Sequence, residues 1–192
     1  DRIGSYGNKV SPIPQSVHRI VEGDEIDING RIWRVIIGEG HAPEHACLYC
    51  EEQNVLISGD QILPRISPNI SVGPLEPNSN PLKQFISSLD NFRAIPEETL
   101  ILPSHDFPFR GLSGRLEQLL KHHQERLDET LVICTNPVSA IEIQRGLFKR
   151  KLDNHQIFFA IGEALAHAHY LLEVKKVSRK KDKQGVNRFC AL

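Results

Sequence analysis

Through most of residues 18–59 apolar positions alternate with polar ones, the spacing of strands whose successive side chains point to opposite faces. A run at Ile20–Val21 is followed by a Gly23-Asp24 turn, then by Ile26 and Ile28. Asn29-Gly30 comes next. This pair is the strongest short hairpin signal, because both central residues of such a turn take a positive φ. Beyond it Trp33, Val35 and Ile37 fall on one face, and Ile32 and Ile36 on the other. Two more strands are predicted over 46–50 and 54–59, joined by the polar Glu51-Glu52-Gln53.

The period then changes. Residues 63–80 carry Pro64, Pro68, Pro74 and Pro77 among Ser, Asn and Gly, which predicts a long loop, as the Gly, Pro and Ser of residues 1–17 also do. Asn80-Pro81 has the chemistry of an N-cap and first helical position. Leu82, Phe85, Ile86, Leu89 and Phe92 follow at helical spacing, and Pro96 stops the helix. Thr99–Leu102 reads as a short buried strand, with a loop through Gly111. After Ser113 the pattern is helical. Leu116, Leu119, Leu120, Leu127 and Leu131 mark one long amphipathic helix. Asn136-Pro137 opens a second, with Val138, Ile141 and Leu147, and Phe158, Ile161, Leu165, Ala168 and Leu172 define a third. Residues 177–192, divided by a basic stretch, predict a two-stranded wing. The expectation is an α/β unit over 1–112 and a small helical, winged-helix-like unit over 113–192.

Charge follows the same division. Residues 1–112 hold 9 Lys and Arg against 15 Asp and Glu, net −6; residues 113–192 hold 14 against 9, net +5. Two units with different surfaces follow. No apolar run approaches the ~18 residues of a membrane span. With aromatics at 6%, Leu, Ile and Val must supply the core. The chain starts at Asp1 and contains no Met, so a piece of a longer polypeptide is expected.

Cys47-Leu-Tyr-Cys50 has the spacing of a redox or zinc CxxC. In a strand, however, side chains three apart point to opposite faces. The plainer reading is two reduced cysteines acting as small hydrophobes, which suits a cytoplasmic protein.

Three polar residues share one structural address. His41, Asp60 and His105 each fall in a loop just past a predicted strand. Imidazole and carboxylate together suit zinc, or iron and manganese, and a carboxylate can bridge two cations. The alternative is scatter, since the chain has nine histidines.

The stretches Gly38-Glu-Gly-His-Ala-Pro-Glu-His45, Val55-Leu-Ile-Ser-Gly-Asp60 with its Gln-Ile-Leu-Pro-Arg continuation, and Leu102-Pro-Ser-His-Asp-Phe-Pro-Phe-Arg-Gly111 resemble, in order and context, motifs of the metallo-beta-lactamase fold hydrolases. The glyoxalase II-like and beta-lactamase-like endoribonuclease branches are the most similar. The resemblance implies that His41 is a metal ligand, that Asp60 bridges two metals and that His105 binds the second. Ala42 and Glu44 depart from the usual Ser or Thr and Gly, and neither change removes a ligand. His45 is expected beside the ligands in a structural role. The resemblance covers about residues 18–112 as the C-terminal half of an αββα sandwich. Phe158–Leu172 is similar to the winged-helix-like extension of one branch.

The family's His-x-His-x-Asp-His loop is absent from these 192 residues. His167-Ala-His169 cannot replace it, because positions i and i+2 of a helix lie ~200° apart. His122-His123 is expected on a solvated or half-buried helical face. The missing ligands, and the group that orients the attacking water, are expected upstream, so no catalytic residue is named. The half-sandwich would expose one sheet face, which its N-terminal half or a second copy in a homodimer would cover.

Three functions compete. The first is a metal-dependent hydrolase, with two zinc ions in the full-length protein, acting on an ester, a thioester or a phosphodiester, with loop 61–80 beside the substrate. The second is a nucleic-acid-binding winged-helix module, or an RNA-processing nuclease, using Lys180, Lys181 and Lys183 of the basic stretch from Lys175. The third is a degenerate structural member, against which the retained His41, Asp60 and His105 argue.

Overall fold

A computed structural model describes residues 17–192. Apart from Val17, the loop expected over 1–17 lies outside the described residues. Four strands come first: β1 (Glu25–Ile28), β2 (Arg31–Gly38), β3 (His45–Cys50) and β4 (Val55–Gly59). After the long loop, α1 (Pro81–Ser88) runs into a 3-10 turn over Leu89–Phe92 and leads to β5 (Leu100–Pro103). The rest is α2 (Leu112–Ile133), α3 (Ala140–Leu147), α4 (Asn154–Glu173) and the hairpin β6 (Val177–Lys181) and β7 (Asn187–Ala191).

The first five strands form one sheet in sequential order. All neighbours are antiparallel except β4 and β5, which are parallel. The Asn29-Gly30 turn is present, with φ of 55° and 78°. Ile20–Val21 is not a strand: it leads into a turn whose Gly23 and Asp24 pair with Val35. The expected faces hold for the rest. Ile36, Cys47, Tyr49, Leu56 and Ile101 are buried on one side, in one cluster with Phe85 and Leu89 from α1 and its extension and Leu112, Leu116 and Leu119 of α2. Burial of each Leu or Phe there contributes ~1.5–3 kcal/mol. The opposite face is apolar and only partly covered: Val35 and Cys50 are buried there, Ala46 and Ile57 are exposed, and Leu48, Val55, Leu100 and Leu102 are half-buried.

Asn80 caps α1 by accepting from Lys83 N–H, with Pro81 in the first turn. The second helix of the C-terminal part begins later than Asn136-Pro137 predicts. Ser139 caps α3 in a reciprocal box with Glu142, while Val138 bridges to Phe189 of β7. A strand pairing therefore takes the residues that the proline signal assigned to the helix. Asp153 and Gln156 form a second capping box before α4. That helix is buried on several sides through Ala160, Ala164, Ala166 and Ala168, small residues that let neighbouring helices approach. The buried cluster is continuous from Ile36 in the sheet to Phe189 in the hairpin.

His123 corrects the expectation of a solvated or half-buried face, being only 1% exposed. It packs edge-on against Phe85 and tilted against His167. The Nδ1–H of His167 donates to the Glu163 carbonyl, leaving Nε2 to accept from His123 Nδ1–H at 3.4 Å. The spacing of α2 could not reveal this, because α4 supplies the cover. Cys47 and Cys50 are buried, unpaired and on opposite faces of β3. Burial pushes the Cys47 thiol up to about 12, so it is no thiolate ligand. No described helix is long and apolar enough to cross a membrane.

Candidate metal centre

Strand direction creates the site. Because β3 is antiparallel to both β2 and β4, those two run the same way, and β5 runs parallel to β4. The C-terminal ends of β2, β4 and β5 therefore share one edge of the sheet. His41, Asp60 and His105 follow those ends.

The loop carrying His41 is pressed onto α1. Gly40 has φ of 92°, and a Cβ there would stand 2.5 Å from both the Pro81 carbonyl oxygen and Phe85 Cβ. Glycine alone allows that approach. The His41 Nδ1 lies 2.9 Å from the Asn69 carbonyl, which fixes the proton on Nδ1. Its Nε2 is left with a free lone pair, 3.5 Å from Asp60 Oδ2. Locking a ligand imidazole through its far nitrogen is the usual device of metal sites.

His105 Nε2 lies 3.2 Å from the other oxygen, Oδ1, of Asp60. Ser104 Oγ donates to the same Oδ1 at 2.6 Å, and Ser104 N–H donates to the Gly59 carbonyl. His45 acts from behind. Its Nε2 accepts the Asp60 backbone N–H at 3.2 Å, so that lone pair is engaged. Burial holds this imidazole below its ordinary value and keeps it neutral, as an acceptor must be. Gly59, with φ of 53°, makes room for it: a Cβ would stand 2.6 Å from His45 Cε1. Next to His105, Asp106 pairs with Arg65 at 2.7 Å, and the guanidinium holds its carboxyl below the usual range.

The three residues named from sequence are thus brought together in pairs. Among the described residues, no group of three or more His, Cys, Asp or Glu stands ready as a cage for one ion. The geometry explains why: the imidazoles flank different oxygens of Asp60. Two ligand atoms each ~2.0–2.2 Å from a tetrahedral ion stand ~3.3 Å apart, so both N···O separations fit a divalent cation between imidazole and carboxylate. The side chains of His41 and Asp60 are 27% and 31% exposed and that of His105 65%, so the edge is open to a substrate. A cleft of about 480 Å³ borders it, walled by His41, Pro43 and residues 71–79 of the long loop.

Sequence reasoning missed Ser104 and Asn69. Ser104 was visible beside His105, but a hydroxyl adjoining a histidine carries no signal alone. Asn69 acts through its backbone carbonyl, which no side-chain pattern reports. Lys180, Lys181 and Lys183 are exposed on the β6–β7 hairpin, whose Arg179 donates to Asn78 Oδ1 of the long loop. Lys180 and Lys181 are adjacent in β6 and so point to opposite faces.

The model of the metallo-beta-lactamase superfamily matches residues 2–105, more than half of the chain. The chain belongs to this superfamily. A model described as the metallo-beta-lactamase-like C-terminal domain matches residues 127–192. A beta-lactamase domain protein from Burkholderia ambifaria is 44% identical, with a TM-score of 0.94 over 100% of this chain and 57% of its own. A metallo-beta-lactamase family protein from Thermus thermophilus is 33% identical, with a TM-score of 0.82 over 93% of this chain and 56% of its own. The fold is therefore the mixed α/β fold of these superfamily proteins. Among curated relatives, a hydroxyacylglutathione hydrolase from Hydrogenovibrio crunogenus is 27% identical over 58% of this chain and 38% of that protein. The chain spans less than half the length of the curated relatives it matches. Superfamily relatives are hydrolases, and metal ions belong to the superfamily's chemistry.

Proposed function

We propose that this protein is the part of a dinuclear metallo-hydrolase that supplies His41 to one metal, His105 to the other and Asp60 to both. The observation that carries the reading is Asp60 flanked on opposite oxygens by two imidazoles, one of them locked by the Asn69 carbonyl. Zinc suits this N,O donor set best, with iron or manganese as alternatives. When bound, such a metal lowers the pKa of a coordinated water and polarises the bond to be cut. The chain's own residues orient and hold: His45 fixes the Asp60 backbone, and Ser104 fixes its carboxylate. The substrate is an ester, a thioester or a phosphodiester, entering along residues 71–79.

Three ligands over two positions give each ion fewer than the roughly three protein donors of a catalytic zinc. We therefore expect these 192 residues to bind zinc weakly and to turn over little alone. Full activity belongs to an assembly that adds ligands and covers the open face of Ile57 and Leu48, as a preceding half of the sandwich or a second copy would. Residues 113–192, three helices and a hairpin, form the winged-helix-like unit in this reading.

Native mass spectrometry during a zinc titration tests the proposal. Zinc adducts that disappear in Asp60→Asn support it; adducts indifferent to Asp60→Asn overturn it. The second reading, RNA processing, is favoured by the exposed Lys180, Lys181 and Lys183. It predicts RNA binding that weakens steeply with salt and is lost when Lys180 and Lys181 become Ala. Salt-insensitive cleavage of small thioesters would favour the first.

A further inference from the structure

A second cleft, of about 510 Å³, opens between residues 65–67 of the long loop, α2, the Phe148–Arg150 segment and α4. Four arginines line it, Arg65, Arg115, Arg126 and Arg150, against one carboxylate, Glu163. Two of those positive charges are partly answered nearby, Arg65 by Asp106 and Arg126 by Glu129. The other two are not. Arg115 is only 8% exposed, and its guanidinium donates to the carbonyls of Leu63 and Ile66 and to Gln118 Oε1. It meets no carboxylate among the described residues. Arg150 is exposed and has no ion-pair partner among the described residues. Burial pushes Glu163 up to about 7, which further weakens the one negative charge present.

A buried guanidinium without a counter-charge is costly unless something anionic answers it. With Arg65 and Arg126 answered by Asp106 and Glu129, Arg115 and Arg150 face Glu163 alone. That is a net excess of one positive charge, rising to two when Glu163 is protonated, and a phosphate matches it in charge and in forked geometry. The cleft also adjoins the candidate metal centre. Arg65 in its wall grips Asp106, the neighbour of His105, and the same loop continues to Asn69, whose carbonyl locks His41.

We propose that this arginine-lined cleft binds a phosphate-bearing portion of the substrate and so holds the scissile bond at the metal centre. Its role as a substrate subsite rests on the metal-centre reading; its affinity for phosphate does not. The anion would lie along Arg150 and the loop at Ser67, with Arg115 supplying charge from behind.

The test is calorimetric titration of the metal-free protein with pyrophosphate, with succinate as a dianionic carboxylate control. Saturable pyrophosphate binding is expected, with little or none for succinate. Arg150→Glu removes the free charge, and Ser67→Asp places a negative charge at the rim without removing a described hydrogen bond. Each should weaken binding at least about tenfold. Asp60→Asn should bind pyrophosphate within about twofold of the unaltered protein, because the anion does not sit on the metal ligands. Absence of saturable binding, equal binding of succinate, unchanged affinity in both rim variants, or loss of binding in Asp60→Asn would each overturn the proposal. Failure of the metal-centre reading shows elsewhere, in zinc adducts that ignore Asp60→Asn.

Discussion

Gly59→Ala tests how the candidate centre is held, through one methyl group. The residue has φ of 53°, where an L side chain costs ~1–2 kcal/mol. Its new Cβ would stand 2.6 Å from His45 Cε1 and 3.0 Å from Nε2. Carbon atoms rest ~3.5–4.0 Å apart, so the imidazole must withdraw by close to an ångström. That movement breaks the bond in which His45 Nε2 accepts the Asp60 N–H, a loss of ~0.5–1.5 kcal/mol. The expected destabilisation is about 1.5–3.5 kcal/mol, read as a lower urea midpoint at unchanged slope. Asp60 is released with the ring, so zinc affinity should fall about 10–100-fold, as when a ligand's supporting partner is lost. A double-mutant cycle separates the causes. In a His45→Ala background the collision is gone, and Gly59→Ala should then cost only the backbone strain of ~1–2 kcal/mol. Equal costs in both backgrounds would refute the steric coupling. A stable Gly59→Ala protein with unaltered zinc affinity would refute the whole chain of reasoning.

Acid stability should follow the buried histidines. Burial holds His123 at about 3 and His167 at about 4, against an ordinary 6.5, so the unfolded chain binds more protons between those values. Stability is then full above the unfolded value and lost as pH falls below it, while Glu163, raised to about 7 from 4.5, acts in the opposite sense. Two imidazoles outweigh one carboxyl, so urea melts should show stability declining on acidification through that window by on the order of 1 kcal/mol per pH unit, and more steeply in Glu163→Gln. Arg115→Met strands the Leu63 and Ile66 carbonyls and should cost about 3 kcal/mol, visible also as faster hydrogen exchange across the segment they anchor. Ser139→Ala breaks the reciprocal cap of α3 and should cost about 1 kcal/mol, or roughly 2–4 °C in Tm.

The local order of this chain was written in its spacing. Asn29-Gly30 placed the first hairpin, Asn80-Pro81 placed the start of α1, and alternation sorted Trp33, Val35 and Ile37 from Ile32 and Ile36. These are short-range effects of turn geometry, capping and period, so the sequence alone determines them. It also put His41, Asp60 and His105 each just past a strand. What it could not state is that those strand ends share an edge, since that depends on β3 reversing direction between β2 and β4. Tertiary structure likewise decided which nitrogen of His41 is free, because a carbonyl 28 residues away takes the other. It buried His123, which its own helix leaves on an ambiguous face, by laying His167 of α4 against it. It moved the start of α3, because Val138 pairs with Phe189, 51 residues further along the chain. And it gathered Arg65, Arg115, Arg126 and Arg150 from three separate segments into one cleft. Local rules act over a few residues of chain, whereas burial, charge and ligand geometry are set by neighbours that only the folded backbone supplies.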